Sequence, residues 1–384
     1  MKNHPIYSSL RGTKLQTNRN ISGIASFLAM KFWKIKLFNT GNSLLYITIF
    51  FLFSACDKAP KTPDITVIPD SISGGVFIVN EGNYMQGNAD LGFINNGLKQ
   101  RLDNVFLSAN NRNLGDVFQS MTVINDKAYL VINNSGKIEV INPKTFKSIG
   151  TITGLHSPRY LTKISNSKAY VSDLYDNNIF VIDLQSNQII KKIPVKGWTE
   201  EMLSLNGYTY ITNVRSSKIM VIDEFTDEII DSISTPFAPK NILKDSNNRI
   251  WVLCGDANAI DNKHFIIQLD LLNKNIAKKL IINTPNTAAN RLRINKDGNM
   301  LFWINEGVFK MNINDTLLPV NPIINKENRL FYGLGIDPNY NEIFISDAKD
   351  FNANSDVYRY SFSGQLLGKF TSGKITGDFY FYYH

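Results

Sequence analysis

The sequence predicts an all-β protein: a seven-bladed β-propeller of four-stranded antiparallel blades, closed by pairing of the C-terminal strand with the N-terminal blade. Three observations support this fold class. A hairpin pattern recurs roughly every 40 residues, helical periodicity is almost absent, and the chain ends on the aromatic run GDFYFYYH, Gly377 to His384, where most proteins leave a polar tail.

Each repeat reads as an alternating strand, a turn of Asn, Asp, Gly or Ser, and a second strand centred on an aromatic residue. Four close copies start at Asp116, Pro158, Glu200 and Pro239, and two looser copies start at Asn290 and Phe331. The central aromatics are Tyr129, Tyr170, Tyr210, Trp251, Phe302 and Phe344. A third strand follows, as in NIFVID from Asn178, and then a fourth, as in QIIKKIPV from Gln188. Four short strands per period are typical of a propeller.

The two ends of the chain each hold half of one further blade. GGVFIVNEGN from Gly74 matches the second strand of the hairpin but has no inner strand before it, whereas GDFYFYY from Gly377 matches an inner strand with nothing after it. We expect the two segments to pair, because this closes the ring at seven blades and removes two open sheet edges. The alternative is an aromatic tail that packs on the surface.

The segment before Gly74 carries a predicted export signal. Met30 begins a short basic region, residues 44–53 form an apolar region, and Ser54, Ala55 and Cys56 end it. This pattern resembles a bacterial lipoprotein signal, which implies cleavage before Cys56 and a lipid anchor on its sulfur. An apolar run of about a dozen residues is short of the roughly 20 that a membrane-spanning helix needs.

These features predict the domain organisation. Residues 1–29 are interpreted as an upstream mis-start, residues 30–55 as the signal peptide, residues 56–73 as the lipid anchor with a Pro-rich tether, and residues 74–384 as the propeller. The predicted location is the cell envelope, where the protein is an outer-membrane lipoprotein. The sequence leaves open whether it faces the cell surface.

Charge and cysteine content exclude some functions. Seven of the 41 basic residues lie before Cys56, in a stretch without Asp or Glu, so 34 basic and 33 acidic residues remain from Cys56 onward. This balance gives no sign of a nucleic-acid partner. Cys254, within IWVLC, is the only other cysteine, and we interpret it as a small core residue.

The strand order sorts the loops onto two faces. Loops between second and third strands share one rim with the connections that enter the inner strands, whereas the hairpin turns lie on the other rim. Those turns, including DPNYN from Asp337, have ordinary turn chemistry. The first rim is rich in amides with interleaved aromatics, and three of its connections run to about ten residues, longer than tight hairpins require.

We interpret the first rim as a binding surface for a large neutral polar ligand, because its amides surround apolar side chains. The candidate ligand-binding residues are Asn80, Glu81, Asn83, Tyr84, Asn133, Arg159, Tyr175, Trp198, Arg215, Tyr332 and Phe351. The competing interpretation is that Asn and Gly at these positions only satisfy turns.

Catalysis has less support from the sequence. The chain after Cys56 contains three histidines and lacks H-x-H, HExxH, G-x-S-x-G and a phosphate-binding glycine loop. One set of acidic and amide residues near the inner-strand entries loosely resembles the calcium site of propeller lactonases: Asp116, Glu200, Glu201, Asn241, Asn290 and Asp378. Arg159, Lys240 and Arg291 lie near the same inner-strand entries, so we expect no catalytic residue and no metal. A lactonase-like enzyme remains the alternative.

The repeats also carry a family resemblance. YVSDLYDNNIFVIDLQSNQIIKKIPV from Tyr170 and YITNVRSSKIMVIDEFTDEIIDSIS from Tyr210 resemble the YVTN, or YncE-like, propeller repeat. VFIVNEGNYMQGNADLGFI from Val76, downstream of a lipoprotein signal, is similar to the propeller lipoproteins of Bacteroidetes typified by BtuG, of the DUF5074 type. That resemblance implies cobalamin capture on one propeller face, with the N-E-G-N element, Asn80 to Asn83, at the ligand.

The predicted function is therefore a cell-envelope lipoprotein that binds cobalamin or another corrinoid, as ligand and not as cofactor. The resemblance implies hand-over to a TonB-dependent outer-membrane transporter. We expect a monomer that contacts the membrane through its lipid anchor only. A structural or adhesive propeller, with broad faces that bind other proteins, is the alternative from another class.

Overall fold

The computed structural model describes residues 66–67, 69, 71–97, 100–255, 263–283 and 288–383. The predicted signal peptide, the lipid anchor at Cys56 and most of the tether lie outside the described residues, as do part of the insertion after Gly255 and the terminal His384. Within the described ranges, no helix is both long enough and apolar enough to cross a membrane.

The described chain forms seven four-stranded antiparallel sheets, which are the blades of a propeller. Blades 1 to 4, each from the inner strand outward, are β28 (Thr376–Tyr382), β1 (Gly75–Asn80), β2 (Asp90–Asn95) and β3 (Arg101–Leu102); β4 (Phe118–Ile124), β5 (Lys127–Ile132), β6 (Lys137–Ile141) and β7 (Ser148–Ile152); β8 (Pro158–Lys163), β9 (Lys168–Asp173), β10 (Asn178–Asp183) and β11 (Gln188–Pro194); β12 (Thr199–Leu205), β13 (Tyr208–Asn213), β14 (Lys218–Asp223) and β15 (Glu228–Ser234).

Blades 5 to 7 follow the same order and confirm the predicted repeat. They are β16 (Pro239–Lys244), β17 (Ile250–Cys254), β18 (Lys263–Asp270) and β19 (Asn275–Asn283); β20 (Asn290–Ile294), β21 (Met300–Ile304), β22 (Gly307–Asn312) and β23 (Ile324–Asn325); β24 (Phe331–Ile336), β25 (Glu342–Asp347), β26 (Asn354–Ser361) and β27 (Leu366–Lys374). The fold class predicted from the sequence is therefore confirmed.

The first blade joins the two ends of the chain, as the sequence predicts. β28 runs antiparallel to β1, with Phe381 opposite Val76 and Phe379 opposite Ile78. Because β28 is the inner strand and β1 the second strand, the last strand supplies the element that the N-terminal segment lacks. The aromatic C-terminus is thus part of a sheet and closes the ring.

The core lies between the blades and not within any one of them. Seven hydrophobic clusters each combine side chains of two neighbouring blades. The cluster between blades 7 and 1 joins Phe344 and Val357 to Val76, Ile78 and Phe379. Burial of apolar area at each junction is the main stabilising contribution, at about 25 cal/mol per Å².

The aromatic residue at the centre of each second strand belongs to this core. All six predicted positions are buried: Tyr129, Tyr170, Tyr210, Trp251, Phe302 and Phe344. Phe77 is fully buried at the matching position of β1. The repeat that the sequence shows is therefore a packing repeat, with one large side chain per blade.

Two faces result from the strand order. We call the face that carries the loops between second and third strands, and the connections into the inner strands, the upper rim, and the opposite face the lower rim. The DPNYN segment is a lower-rim turn as predicted, since the Asp337 carboxylate accepts the backbone N–H bonds of Asn339 and Tyr340 at 2.8 and 3.1 Å. The hydroxyl of Tyr383 donates to Asp337 Oδ2 at 2.7 Å.

Two features add to the predicted fold. A six-residue helix, α1 (Val105–Asn110), lies between blades 1 and 2 and buries Val105 and Phe106. The described part of the tether already contacts the propeller, because the Thr66 hydroxyl donates to the Asp103 carbonyl at 2.7 Å. Ile72 is buried in the cluster between blades 1 and 2. The chain is thus held to the side of the ring before β1 begins.

Deletion of Gly377 to His384 removes the inner strand of blade 1 and is expected to abolish cooperative thermal unfolding. It exposes both the edge of β1 and the cluster between blades 7 and 1. Calorimetry and far-ultraviolet circular dichroism measure this outcome. The control deletes only His384, which follows β28. A long deletion that melts in one transition at the temperature of the intact chain contradicts closure.

Candidate functional site

A β-bulge interrupts the pairing of the inner and second strands near the upper rim of every blade. In blade 3, Pro158 pairs with Asp173 and Leu161 with Val171, so that Arg159 and Tyr160 share one opposing residue. The first residue left out of regular pairing recurs once per blade. We call this set the bulge ring: Gln119, Arg159, Glu200, Lys240, Arg291, Tyr332 and Gly377.

The bulge ring is polar yet buried, because its six side chains are at most 8% exposed. Buried charges are stable only when they are paired and hydrogen-bonded. Arg159 Nε donates to both carboxylate oxygens of Glu200 at 3.0 Å, and Arg159 Nη1 donates to Gln119 Oε1. Trp198 Nε1 donates to the same Glu200 carboxylate at 2.5 Å. One arginine thus links three consecutive blades.

Blade 1 has a glycine in this ring, and a neighbouring carboxylate fills the space. A Cβ on Gly377 would lie 2.9 Å from Glu81 Cδ. Glu81 accepts a bond from the Tyr332 hydroxyl at 2.9 Å and forms an ion pair with Arg291 at 3.4 Å. Arg291 Nε donates to the Tyr332 carbonyl at 3.3 Å. Glu81 therefore completes the ring from the loop after β1.

The pKa directions agree with a ring of fixed charge. Desolvation lowers the pKa of Arg159, but attraction to the Glu200 carboxylate, with smaller contributions from Tyr160 and Glu81, raises it above its ordinary value. Burial raises the pKa of Tyr332, and the adjacent Glu81 adds to that effect. The arginine stays charged and the phenol stays neutral across the physiological range.

A second set of charged residues lies next to the ring on the inner strands. Arg293 contacts Asp378 at 3.1 Å and Glu201 at 3.6 Å, and Asn241 Nδ2 donates to Glu201 at 2.7 Å. Burial raises the pKa of Glu201 above its ordinary value, while Arg293 acts against that shift. These carboxylates, named above for a lactonase-like calcium site, are held by arginine and amide groups. Across the described ranges, no three His, Cys, Asp or Glu side chains are grouped as metal ligands.

Four of the predicted ligand-binding residues lie in or next to the bulge ring, near the upper end of the central channel that the inner strands surround: Asn80, Glu81, Arg159 and Tyr332. Their polar groups are hydrogen-bonded to other residues of the chain. The Asn80 amide donates to Asp90 Oδ1 at 2.9 Å and accepts from Ser372 and Thr376 at 3.0 and 2.6 Å. These bonds tie β1 and β2 to the chain around the end of β27. Asn80 is 1% exposed, so any contact with a ligand would need this network to open.

Asn133 also has a role within the scaffold. Its amide donates to Ser157 Oγ and the Pro158 carbonyl at 2.9 and 3.0 Å, which joins blade 2 to the start of β8. The same loop is also held from blade 3, where Asp173 accepts the backbone N–H bonds of His156 and Ser157. Asn133 and Asp173 thus fasten the loop before β8 from two neighbouring blades.

The remaining predicted residues form the accessible part of the upper rim. Tyr84, Tyr175 and Arg215 are exposed, whereas Asn83, Trp198 and Phe351 are half-buried. Asn83 Nδ2 donates to the Phe351 carbonyl at 2.6 Å, and the Phe351 ring contacts the Tyr332 ring edge-on at 5.6 Å. The Tyr175 ring lies 5.7 Å from the exposed His156. Sequence reasoning grouped these residues as one rim, and the structure places them on loops of that rim.

Some rim residues were missed by sequence reasoning. Phe237, on the connection into blade 5, is 45% exposed and adds an apolar side chain to the upper rim. Gln119 and the link between Gly377 and Glu81 were also missed. An alignment of the repeats at the start of the inner strand would have identified Gln119. It directly follows Phe118, the last paired residue before the bulge, just as Arg159 directly follows Pro158.

A cavity of about 210 Å³ lies beside blade 1, between the loop before β2 and helix α1. Ala89, Leu91, Phe106 and Leu114 contribute apolar walls, and Asn88 is among the polar residues at its border. It is small for a drug-sized ligand, since such pockets commonly span about 300–1,000 Å³. It therefore serves as at most a side pocket of the rim.

The fold and the loop-built rim define a seven-bladed β-propeller whose charged inner ring is internally satisfied and whose outer rim is accessible. The chain belongs to the DUF5074 family, a domain of unknown function, whose model matches residues 74–383. This confirms the DUF5074-type resemblance. A search of curated proteins gives no match to this chain.

Solved structures support the fold. A quinoprotein alcohol dehydrogenase-like protein of Bacteroides thetaiotaomicron aligns with a TM-score of 0.65 at 16% identity over 81% of this chain and 79% of its own. A Bacteroides fragilis protein assigned by its name to the 6-phosphogluconolactonases aligns with a TM-score of 0.60 at 13% identity, over 84% and 99% of the two chains. A functionally unknown protein of Desulfotomaculum acetoxidans gives 0.59 at 15%, over 81% and 99%. At identities this low, the structural similarity shows the fold alone, and no enzymatic activity follows from it.

Gly377→Ala tests whether Glu81 completes the ring. The added methyl group displaces the Glu81 carboxylate from Arg291 and Tyr332, and we expect a loss of about 1–3 kcal/mol in the free energy of unfolding. Urea denaturation measures it. The matched control is Gly368→Ala, where the nearest atom to a new Cβ, Arg359 Nη1, is 3.7 Å away. Equal stability of the two variants would contradict the inference that the Glu81 carboxylate occupies the space next to Gly377.

Asp90 gives the protein a pH-dependent stability. Burial raises its pKa from 3.8 to about 6, with Asn80 lowering it and Asp103 adding to the rise. The folded state thus keeps a proton that the unfolded chain has released, so the free energy of unfolding falls as the pH rises from about 4 to 7. We expect Asp90→Asn to remove most of this pH-dependent change in the free energy of unfolding, about 3 kcal/mol for a pKa raised from 3.8 to about 6. An unchanged slope in urea titrations at several pH values counts against it.

Proposed function

We propose that the upper rim binds a bulky polar nutrient, cobalamin or another corrinoid, and that the protein delivers it to a TonB-dependent outer-membrane transporter. The observation that carries the proposal is the set of accessible apolar side chains around one opening: Tyr84, Met85, Tyr175, Trp198 and Phe237. Tyr84, Met85 and Tyr175 are 48%, 72% and 52% exposed. Isolated turns do not need such area.

The chemistry of the rim suits this ligand class. A corrinoid has amide side chains around a flat apolar ring, so aromatic side chains are available to pack on the ring while amides and the Arg215 guanidinium bond to its periphery. The buried ring beneath, with Arg159 paired to Glu200 and Arg291 to Glu81, provides a stiff base and leaves few polar groups to be reorganised on binding.

The same observations give less support to the alternatives. A hydrolytic site would need a nucleophile or a metal-bound water, and the carboxylates near the channel are engaged by Arg159, Arg293 and Asn241. Membership of DUF5074 leaves the activity open. A binding role needs only the accessible rim, so we prefer it.

Calorimetric titration of residues 57–384 with cyanocobalamin tests the proposal. We expect binding, and an approximately five- to tenfold weakening for Tyr84→Ala and for Tyr175→Ala, because each removes a ring from the contact surface. The control is Tyr208→Ala, which truncates a 38%-exposed tyrosine at a lower-rim turn. Absence of heat and of any thermal shift contradicts the proposal, as does equal weakening by the control.

A further inference from the structure

Three neighbouring blades expose large apolar side chains on the lower rim. Phe225 of blade 4 is 95% exposed, Leu272 of blade 5 is 88% exposed, and Leu317 and Val320 of blade 6 are 79% and 90% exposed. All four lie in connections between the third and fourth strands. Single exposed apolar residues are ordinary, but four on consecutive blades form a patch that calls for an explanation.

The turn geometry does not explain these residues. In blades 4 and 5 an aspartate makes an Asx turn: Asp223 Oδ1 accepts from Phe225 N at 2.8 Å, and Asp270 Oδ1 accepts from Leu272 N at 3.0 Å. The same turn in other blades has a polar residue at its tip. These equivalents are Lys144, Asn314 and Ser363, whose backbone N–H groups bond to the side chains of Asn142, Asn312 and Ser361.

Contacts between the blades make the patch continuous. Lys274, two residues after Leu272, forms an ion pair with Asp231 of blade 4. Lys278 of blade 5 donates to the Asp315 carbonyl of blade 6 at 2.8 Å. The three connections are thus fastened side by side. We call residues 223–227, 270–274 and 312–320 the lower arc.

The charge of the lower arc indicates what it would bind. It contains five carboxylates, Asp223, Glu224, Asp227, Asp270 and Asp315, and a single basic side chain, Lys274. Lys274 and Asp227 are already in ion pairs with residues outside the arc. Three lysines outside the arc also contact it, since Lys168 pairs with Asp227, Lys191 donates to the Thr226 carbonyl and Lys278 donates to the Asp315 carbonyl. With these lysines, and with Glu228 and Asp231 beside the arc, seven carboxylates stand against four lysines, so the patch presents apolar side chains within a net negative field. Such a field repels anionic lipid and attracts basic side chains.

We propose that the lower arc is a docking surface for a protein partner that presents apolar anchors flanked by Lys or Arg. Phe225 and Leu272 are the anchors on this chain. Their turns are preformed by the Asx bonds, so little ordering is needed on association. The docking surface lies on the opposite rim from the proposed ligand site and is independent of it. The propeller would thus have one face for a small molecule and one for a protein.

Two synthetic amphipathic helical peptides of about 18 residues serve as probes. They share one Leu/Phe face, and their flanks carry Lys in one peptide and Glu in the other. We expect the Lys peptide to bind at least about ten times more tightly to residues 57–384 than the Glu peptide. Hydrogen exchange should show protection of residues 223–227 and 270–274 in the complex.

The double variant Phe225→Ser/Leu272→Ser keeps the charge and removes the anchors, so it separates apolar docking from simple ion attraction. We expect it to weaken the Lys peptide about tenfold or more while the melting temperature stays unchanged, because Ser363 occupies the same turn position in blade 7. The matched control is Gln185→Ser, at the turn tip of blade 3.

Several outcomes overturn the proposal. Equal affinity for both peptides removes the charge argument, and equal affinity of the double variant and the wild type removes the apolar anchors. Binding to phosphatidylcholine vesicles that depends on Phe225 and Leu272 identifies lipid as the occupant instead. A dimer in sedimentation analysis that the double variant dissociates identifies a second copy of the chain.

Discussion

The pairing of β28 with β1 is the interaction on which the other features of this protein depend. The hydrophobic clusters lie between blades, so each blade needs a neighbour on both sides to bury its two faces. An open chain of blades would leave the faces of β1 and β25 uncovered, with Phe344 and Val76 in water. Closure removes this cost and brings the upper-rim loops around one opening.

The bulge ring links the closed blades to one another. Each of the seven inner strands carries a bulge in its pairing with the second strand near the upper rim. The bulges turn one residue per blade out of the ladder, and most of these residues are polar and bonded across blade boundaries. Arg159 and Glu200 therefore lock the blades in register. The polar side chains of this ring are thus hydrogen-bonded within the fold.

Accessible side chains consequently lie farther out, on loops that the ring holds in place. On the upper rim these are aromatics such as Tyr84 and Tyr175, and on the lower rim they are Phe225 and Leu272. In both places the local turn bonds are satisfied by neighbouring carboxylates or amides, so the exposed side chain is free to vary without loss of the fold. A rigid ring with two independently variable rims is compatible with the two binding faces proposed above.

The sequence by itself determined the blade number, the four-strand repeat, the closure by Gly377 to His384 and the division of loops into two rims. These follow from local periodicity and from the match between the chain ends, which a single chain displays directly. Only the tertiary structure decided the state of the individual rim residues. Asn80, Asn133 and Arg159 look like ligand contacts in a loop sequence, but other strands and loops of the same or a neighbouring blade supply their bonding partners and bury them. The distinction depends on contacts between residues on different strands and loops, such as Asn133 with Pro158 at 25 positions apart and Asn80 with Thr376 at 296, and the sequence pattern carries no signal for those contacts.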